Sequence, residues 1–204
     1  LGDVYKRQRL GYDGKGQVRV DAAKNLNDAW AQINHATAIL EGFIDFEREV
    51  SVIVARGANG EIRSYTPVDN VHRDQILHTT TAPSTMPRRL AGTAQNIAEK
   101  IAEAIDLVGL LAVEMFITKD GGVLVNEIAP RPHNSGHWTM DGCAVSQFEQ
   151  FIRAITGLPL GDPARHSNAV MTNLIGGEAN RWRELLEERG ICLHLYGKFE
   201  NRPG

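Results

Sequence analysis

Cysteine is scarce in this sequence, long apolar runs are missing, and positive charge is not in excess; each shortage removes a class of protein. Two cysteines among 204 residues, Cys143 and Cys192, lack CxxC spacing, which argues against a disulfide scaffold and leads us to expect buried, reduced thiols. No apolar stretch approaches the ~20 residues that span a bilayer, and the start lacks the charged-then-apolar pattern of a signal peptide, so a cytoplasmic protein is expected. A formal net charge of −3, without a dense Lys/Arg run interleaved with aromatics, offers nucleic acid no polycation. What is present, 42% hydrophobic and 23% charged residues, can build one large domain or two small ones. The chain opens on Leu1 rather than Met. Residues 1–8 (LGDVYKRQ) read as a non-native leader and are set aside, and FENRPG directly follows an apolar run, so a piece truncated at both ends is expected.

Periodicity predicts mixed elements. QVRV (17–20) reads as a strand, Asp21 as the N-cap of a helix through Trp30 to about His35, and ATAILEG as a strand ending at Glu41. REVSVIVAR and EIRSYTP flank the turn GANG as a hairpin, and QILHTTTA adds a strand. Between Pro87 and Leu107 the apolar residues Leu90, Ala94, Ile97, Ile101 and Ile105 recur at helical spacing, with Glu99, Lys100 and Glu103 on the other side. LLAVEMFIT and GVLVNEIA form a second hairpin through KDGG, and a helix over 145–156 stops at Gly157. NAVMTNLIG reads as a buried strand, RWRELLEERG as a surface helix and ICLHLY as a final strand. Helices mixed with antiparallel hairpins make the fold class α+β.

Two stretches carry chemistry. GYDGKG (11–16) places three glycines around an aspartate and a lysine, and residues without Cβ let backbone N–H groups crowd against a phosphate. In the second hairpin, a type I′ turn at Asp120-Gly121 sets Glu114 opposite Glu127. Facing carboxylates repel, and burying both is costly unless a cation sits between them. Hard oxygen donors without Cys or paired His select Mg²⁺ or Mn²⁺ over Zn²⁺. A solvated pair of glutamates on an exposed face is the other reading, and spacing alone leaves both open. Zinc on His133 and His137 fails because Pro132 and Gly136 disfavour a helix there and the HExxH glutamate is missing.

GYDGKGQ, the strand ILEG with a second glutamate eight residues on, and the hairpin VEMFITKDGGVLVNEIAPRPHNSGHWT together resemble the ATP-grasp enzymes. NEIAPRPHNSGHWT followed by SQFEQFIRAITGLPL is similar to the 5-(carboxyamino)imidazole ribonucleotide synthase family of purine biosynthesis. The resemblance runs from about Arg9 to Gly204 and implies a partial ATP-grasp fold, lacking the N-terminal pre-ATP-grasp domain and part of the C-terminal domain. It divides the chain into the rest of the small lobe with its glycine-rich lid (9–40), a large lobe with the metal and substrate site (41–160), and the start of a β-rich domain (161–204).

The same resemblance implies roles. Gly11, Tyr12, Asp13, Gly14, Lys15, Gly16 and Gln17 would close over the ATP β- and γ-phosphates; Glu41, Gly42, Phe43 and Ile44 would hold adenine, and Glu49 the ribose hydroxyls. His72 matches a histidine near the nucleotide, and Asn126 joins Glu127 in the nucleotide–metal site, although strict alternation points Asn126 to the opposite face. Glu114 and Glu127 would hold Mg²⁺ or Mn²⁺. Arg131, His133 and Lys198 would handle bicarbonate, carboxyphosphate and 5-aminoimidazole ribonucleotide: a guanidinium fork fits a phosphate or carboxylate, and a histidine can relay the proton lost by an attacking amine. The implied activity is ATP-dependent carboxylation of 5-aminoimidazole ribonucleotide with bicarbonate, in a homodimer. Another ATP-grasp carboxylase or ligase, or a nucleotide-binding piece without turnover, stays open. Two departures, the missing N-terminal domain and the missing lysine upstream of the glycine loop, imply that this piece is inactive by itself.

Overall fold

A computed structural model describes residues 3–7, 17–20 and 25–197. Gly11–Gly16, Asp21 and Lys198 lie outside the described residues. The chain divides into two compact units, Leu1–Asp45 with Arg73–Ile76, and Phe46–His72 with Leu77–Gly204.

The first unit is built on three antiparallel strands, β1 (Asp3–Arg7), β2 (Gln17–Val20) and, after helix α1 (Leu26–Gln32), β3 (Ala38–Gly42), in the order β2-β1-β3. The stretch set aside as a leader therefore supplies the central strand: Lys6 pairs with Gln17 on one side, and Val4 pairs with Glu41 on the other. Strand bonding is decided by the edges available, and two flanking strands offer theirs here. Helix α1 starts from Asn25, and Asn34 and His35, both in the left-handed region, end it. Among the described residues of this unit, Val20, Ala29 and Ile33 are the buried apolar ones.

In the second unit β4 (Phe46–Arg56) turns at Gly57–Glu61 into the short β5 (Ile62–Ser64), and β6 (Val68–Arg73) and β7 (Ile76–Ala82) follow. Helix α2 (Arg88–Ala104) precedes the hairpin β8 (Gly109–Thr118) and β9 (Val123–Ala129); α3 (Thr139–Gly142), α4 (Gln147–Thr156), the edge strand β10 (Ala169–Thr172) and α5 (Trp182–Leu185) complete the unit. The sheet order is β10-β7-β6-β4-β8-β9, with β5 paired to β4.

Alternation along β4 and β8 separates two faces. Val50, Val52, Val54, Leu111, Val113, Met115 and Ile117 pack against Leu90, Ala94, Ala98 and Ala102 of α2. The buried line of that helix is mostly alanine, which lets the helix lie close to the sheet. Ile97 and Ile101 flank it half-buried, while Ile105, expected in the apolar set, caps the helix and is exposed. On the other face Ile53, Ala55, Val68, Leu110 and Ala112 form a second core with Trp138, Ala154 and Leu160. Helix α4 is capped by Ser146, whose side chain accepts from Glu149 N–H, and it stops at left-handed Gly157, the stop its sequence predicts.

Four expectations are corrected. NAVMTNLIG contributes an edge strand of four residues with Val170 exposed, not a buried strand. RWRELLEERG gives only the four-residue α5 after a 3₁₀ turn over Gly176–Arg181. ICLHLY forms no strand; His194 instead bonds Asp141 at 2.7 Å. Cys143 is buried, with its thiol pKa pushed up to about 11 by burial, but Cys192 is exposed.

Candidate functional site

The face of β4 that carries Ile53 and Ala55 continues toward the strand's start as Ser51 and Glu49, so one sheet surface changes from core to polar within a single strand. Cross-strand pairing extends the polar half: Ser51 faces Glu114 on β8, Glu49 faces Asn70 on β6, and Glu114 faces Glu127 on β9. The expected glutamate pair is present, but its register arises differently. The loop holds three residues, Lys119 to Gly121, closed by Thr118 N–H to Gly122 O at 3.0 Å and Gly121 N–H to Thr118 O at 2.9 Å. Gly121 has φ +81°, whereas Asp120 does not have the positive φ that a type I′ turn needs at both central positions. Such a loop shifts the ladder by one residue, so Met115 pairs with Val125; Asn126 is then the extra residue of a bulge that restores Glu114 to Glu127. The bulge breaks strict alternation at Asn126, and with it the objection that Asn126 must point away. Glu114 is half-buried, while Glu127 is exposed, which corrects the picture of two buried carboxylates.

Histidines meet these acids. His133 Nε2 lies 2.9 Å from Glu114 Oε1, with only 12% and 15% of the two side chains exposed. His72 Nδ1 bonds the Glu49 carboxylate. Burial alone pulls the His72 pKa down, but the bond to Glu49 and the charges of Glu49, Glu114 and Glu127 outweigh it and raise the pKa above its ordinary value. Asn126 is half-buried; Arg131 lies exposed just past β9, its guanidinium on the Pro132 carbonyl at 3.0 Å.

The loop after β9 is rigidly held. His133 N–H donates to Gln147 Oε1 at 3.0 Å, and Gln147 Nε2 donates to His133 O at 2.7 Å. A Cβ on Gly136 would lie 2.3 Å from Gln147 Oε1, so glycine is what lets the amide reach the loop. His137, four residues from His133, stacks on Phe148 with ring centroids 5.6 Å apart; burial lowers its pKa, followed by the nearby His133 and His194. Sequence reasoning missed Ser51, Asn70, Thr80, Ser135 and Gln147, all buried polar residues. Ser51 had a legible signal, since it shares the odd positions of β4 with Glu49; Gln147 had none.

In the first unit Gln17 opens β2 and is half-buried, Glu41 and Gly42 end β3, and Phe43 and Ile44 follow. The Arg19 guanidinium lies 4.4 Å from the Phe43 ring centroid, a cation–π contact that fixes one face of that ring.

Oxygen donors dominate the acidic face. Among the described residues no group of three or more His, Cys, Asp or Glu side chains is arranged to hold a metal. Two facing carboxylates suit a hard cation whose remaining positions go to phosphate and water, as Mg²⁺ prefers. No helix among the described residues is long and apolar enough to cross a membrane.

Comparison with known proteins bears on this arrangement. Residues 2–148 match the ATP-grasp domain family, and residues 169–204 match the phosphoribosylaminoimidazole carboxylase C-terminal domain. The chain is similar to N5-carboxyaminoimidazole ribonucleotide synthase of Brucella melitensis, with 52% identity over 203 residues that cover 98% of this chain and 56% of the relative. It thus spans little more than half of that relative's length. A solved ADP complex of an N5-carboxyaminoimidazole ribonucleotide synthetase superposes with TM-score 0.93 at 43% identity, covering 99% of this chain and 54% of the other. The Aspergillus clavatus synthase, solved with ADP and 5-aminoimidazole ribonucleotide, superposes with TM-score 0.91 at 31% identity, covering 99% and 54%. With a fold, an acidic hairpin and a family match over most of its length in agreement, the chain belongs to the ATP-grasp family.

Proposed function

We propose that this chain carries the nucleotide-binding and carboxyl-activating part of a 5-(carboxyamino)imidazole ribonucleotide synthase, an ATP-grasp ligase. The observation that supports it most is the acidic sheet face, where Glu114 opposes Glu127 across the hairpin and meets His133, with Glu49 and His72 on the same surface. In this reading bicarbonate attacks the γ-phosphorus of ATP, ADP leaves, and carboxyphosphate forms. The exocyclic amine of 5-aminoimidazole ribonucleotide then takes the carboxyl group, phosphate leaves, and the amine gives up a proton.

Glu41 to Ile44 bind adenine, and Glu49, oriented by His72, accepts from the ribose hydroxyls. Gly11 to Gly16 and Gln17 cover the phosphates, with Lys15 adding charge where the transferring phosphoryl is most negative. Glu114 and Glu127, with Asn126 beside them, would hold Mg²⁺ or Mn²⁺, which when bound would neutralise phosphate charge. Arg131 grips a carboxylate or phosphate with two parallel bonds, Lys198 adds a cation at the substrate, and the His133–Glu114 pair relays the proton lost by the attacking amine. The division at 40 and 160 into small lobe, large lobe and C-terminal domain belongs to the same proposal, as do bicarbonate as carbon source, a homodimeric assembly and a cytoplasmic setting.

A chimaera in which this chain replaces the matching 203 residues of the Brucella melitensis relative tests the reading. ATP hydrolysis should depend on bicarbonate and accelerate with 5-aminoimidazole ribonucleotide, with carboxylated product formed. Dependence on another carboxylic acid would assign a different ATP-grasp ligase, and nucleotide binding without turnover would leave a binding module.

A further inference from the structure

A chain of buried polar side chains ends on His133. Thr80 Oγ1 donates to Asn70 Oδ1 at 2.9 Å, Asn70 Nδ2 to Ser51 Oγ at 3.0 Å, and Ser51 Oγ to Ser135 Oγ at 2.8 Å. Ser135 Oγ lies 2.9 Å from His133 Nδ1. These four residues come from β7, β6, β4 and the loop after β9, and none is more than 7% exposed.

We propose that Thr80, Asn70, Ser51 and Ser135 form a one-way hydrogen-bond chain that, with Gln147, positions His133 against Glu114 in the reaction proposed above, on which this inference rests. Two contacts favour one direction. The Ser135 backbone N–H, which can only donate, points to His133 Nδ1 at 3.3 Å; the Glu114 carboxylate, which can only accept, faces Nε2 at 2.9 Å. The ring proton therefore sits on Nε2. Ser135 spends its hydroxyl proton on Nδ1 and must accept from Ser51, and Ser51 in turn must accept from Asn70. An amide is the side chain that donates on one side and accepts on the other, and Asn70 does both in one planar head. Gln147 fixes the His133 backbone from both of its polar groups, so the loop sets where the ring is and the chain sets how it is turned. Satisfied throughout, a buried chain of this kind holds a single arrangement; reversed, it would turn a bare nitrogen toward the Glu114 carboxylate. Outer-shell partners that orient a functional carboxylate or imidazole are commonly worth about 10–100-fold in activity.

The test uses the chimaera with ¹⁵N-labelled histidine, in which NMR reports which ring nitrogen carries the proton; His133→Gln identifies the signal. Asn70→Asp offers only acceptors, drawing the Ser51 hydroxyl away from Ser135 and reversing the chain. The expected result is a bare Nδ1 and protonated Nε2 in the parent and a proton on Nδ1 in Asn70→Asp, with kcat for carboxylation about 10–100-fold lower and KM for ATP within about twofold. Thr80→Val should lower kcat in the same sense and Thr80→Ser should restore it. An unaltered His133 tautomer in Asn70→Asp, or equal kcat for Thr80→Val and Thr80→Ser, would overturn the proposal and leave these groups as core filling. If Asn70→Asp does not fold, Ser51→Ala, which takes from Ser135 its donor, should lower kcat in the same sense with KM for ATP held, and an unchanged kcat would overturn the proposal. The NMR reading needs no turnover, so a chimaera inactive with 5-aminoimidazole ribonucleotide counts against the function while the tautomer still decides the chain.

Discussion

The two faces of the large sheet are made from the same strands and do opposite things. Val50, Val52 and Val54 on one side of β4 meet the alanine line of α2, while Glu49 and Ser51 on the other side join Glu114, His133 and Asn70. A period of two lets adjacent residues divide stability from chemistry, so that Val113 and Glu114 can be neighbours in sequence without sharing an environment. The apolar face holds the strands straight and in register; the polar face uses that register to set acids opposite one another. The strands of the second unit therefore gather the acids, and the loop after β9 adds His133 to them.

The largest effect expected falls on the apolar face. Leu111→Ala, at a residue with no exposed surface, should cost about 2–5 kcal/mol of unfolding free energy, read from a urea titration. A loss below about 1 kcal/mol would mean that this face is not the stabilising one. On the polar face Glu114→Gln should do the reverse, because the amide oxygen still accepts from His133 Nε2. Stability should hold or rise, since one of two facing charges is removed, while ATP turnover in the chimaera falls by roughly 100-fold. Comparable stability losses in the two variants would erase the division between faces.

Deleting Asn126 sharpens the comparison further. Removing the extra residue leaves a regular ladder in which the former Glu127 follows Val125 and still faces Glu114, so the melting temperature should hold within a few degrees. About a 10-fold loss of Mg·ATP affinity, measured by calorimetry, is expected if Asn126 itself takes part. Unchanged affinity would return Asn126 to a purely geometric role.

The smallest effect is a pH dependence. His72 has its pKa raised in the folded state, so the Glu49–His72 bond contributes stability fully below the ordinary histidine pKa, and that contribution is lost as pH rises through the raised value. Glu49→Gln should therefore destabilise the protein in mildly acidic solution, by less than about 1 kcal/mol for a partly exposed pair, and match the parent at alkaline pH. Equal melting differences across that range would show that His72 does not titrate against Glu49.

Much of the site could be read in advance because it lies on regular elements. The valines of β4 and the Glu114–Glu127 pairing follow from alternation and a short loop, even though the loop has three residues and a bulge at Asn126 corrects for it. Two departures from the simplest hairpin cancel, and no local rule shows that they will. The C-terminal stretch failed for the opposite reason: ICLHLY has strand composition, but composition does not say whether another strand will pair with it.

What depends on neighbours along the chain was readable in the residues: alternation in β4 and β8, the helical spacing of α2, the Gly157 stop of α4, and the acidic hairpin. Tertiary structure alone decided that Asp3–Arg7 is a central strand, that His133 meets Glu114, and that Ser51, Asn70, Thr80 and Ser135 join in one direction. The reason is range. A period or a cap is settled within a few residues, whereas the hydroxyls of Ser51 and Ser135, 84 positions apart, find each other only after the sheet has closed and excluded the water that would otherwise satisfy them.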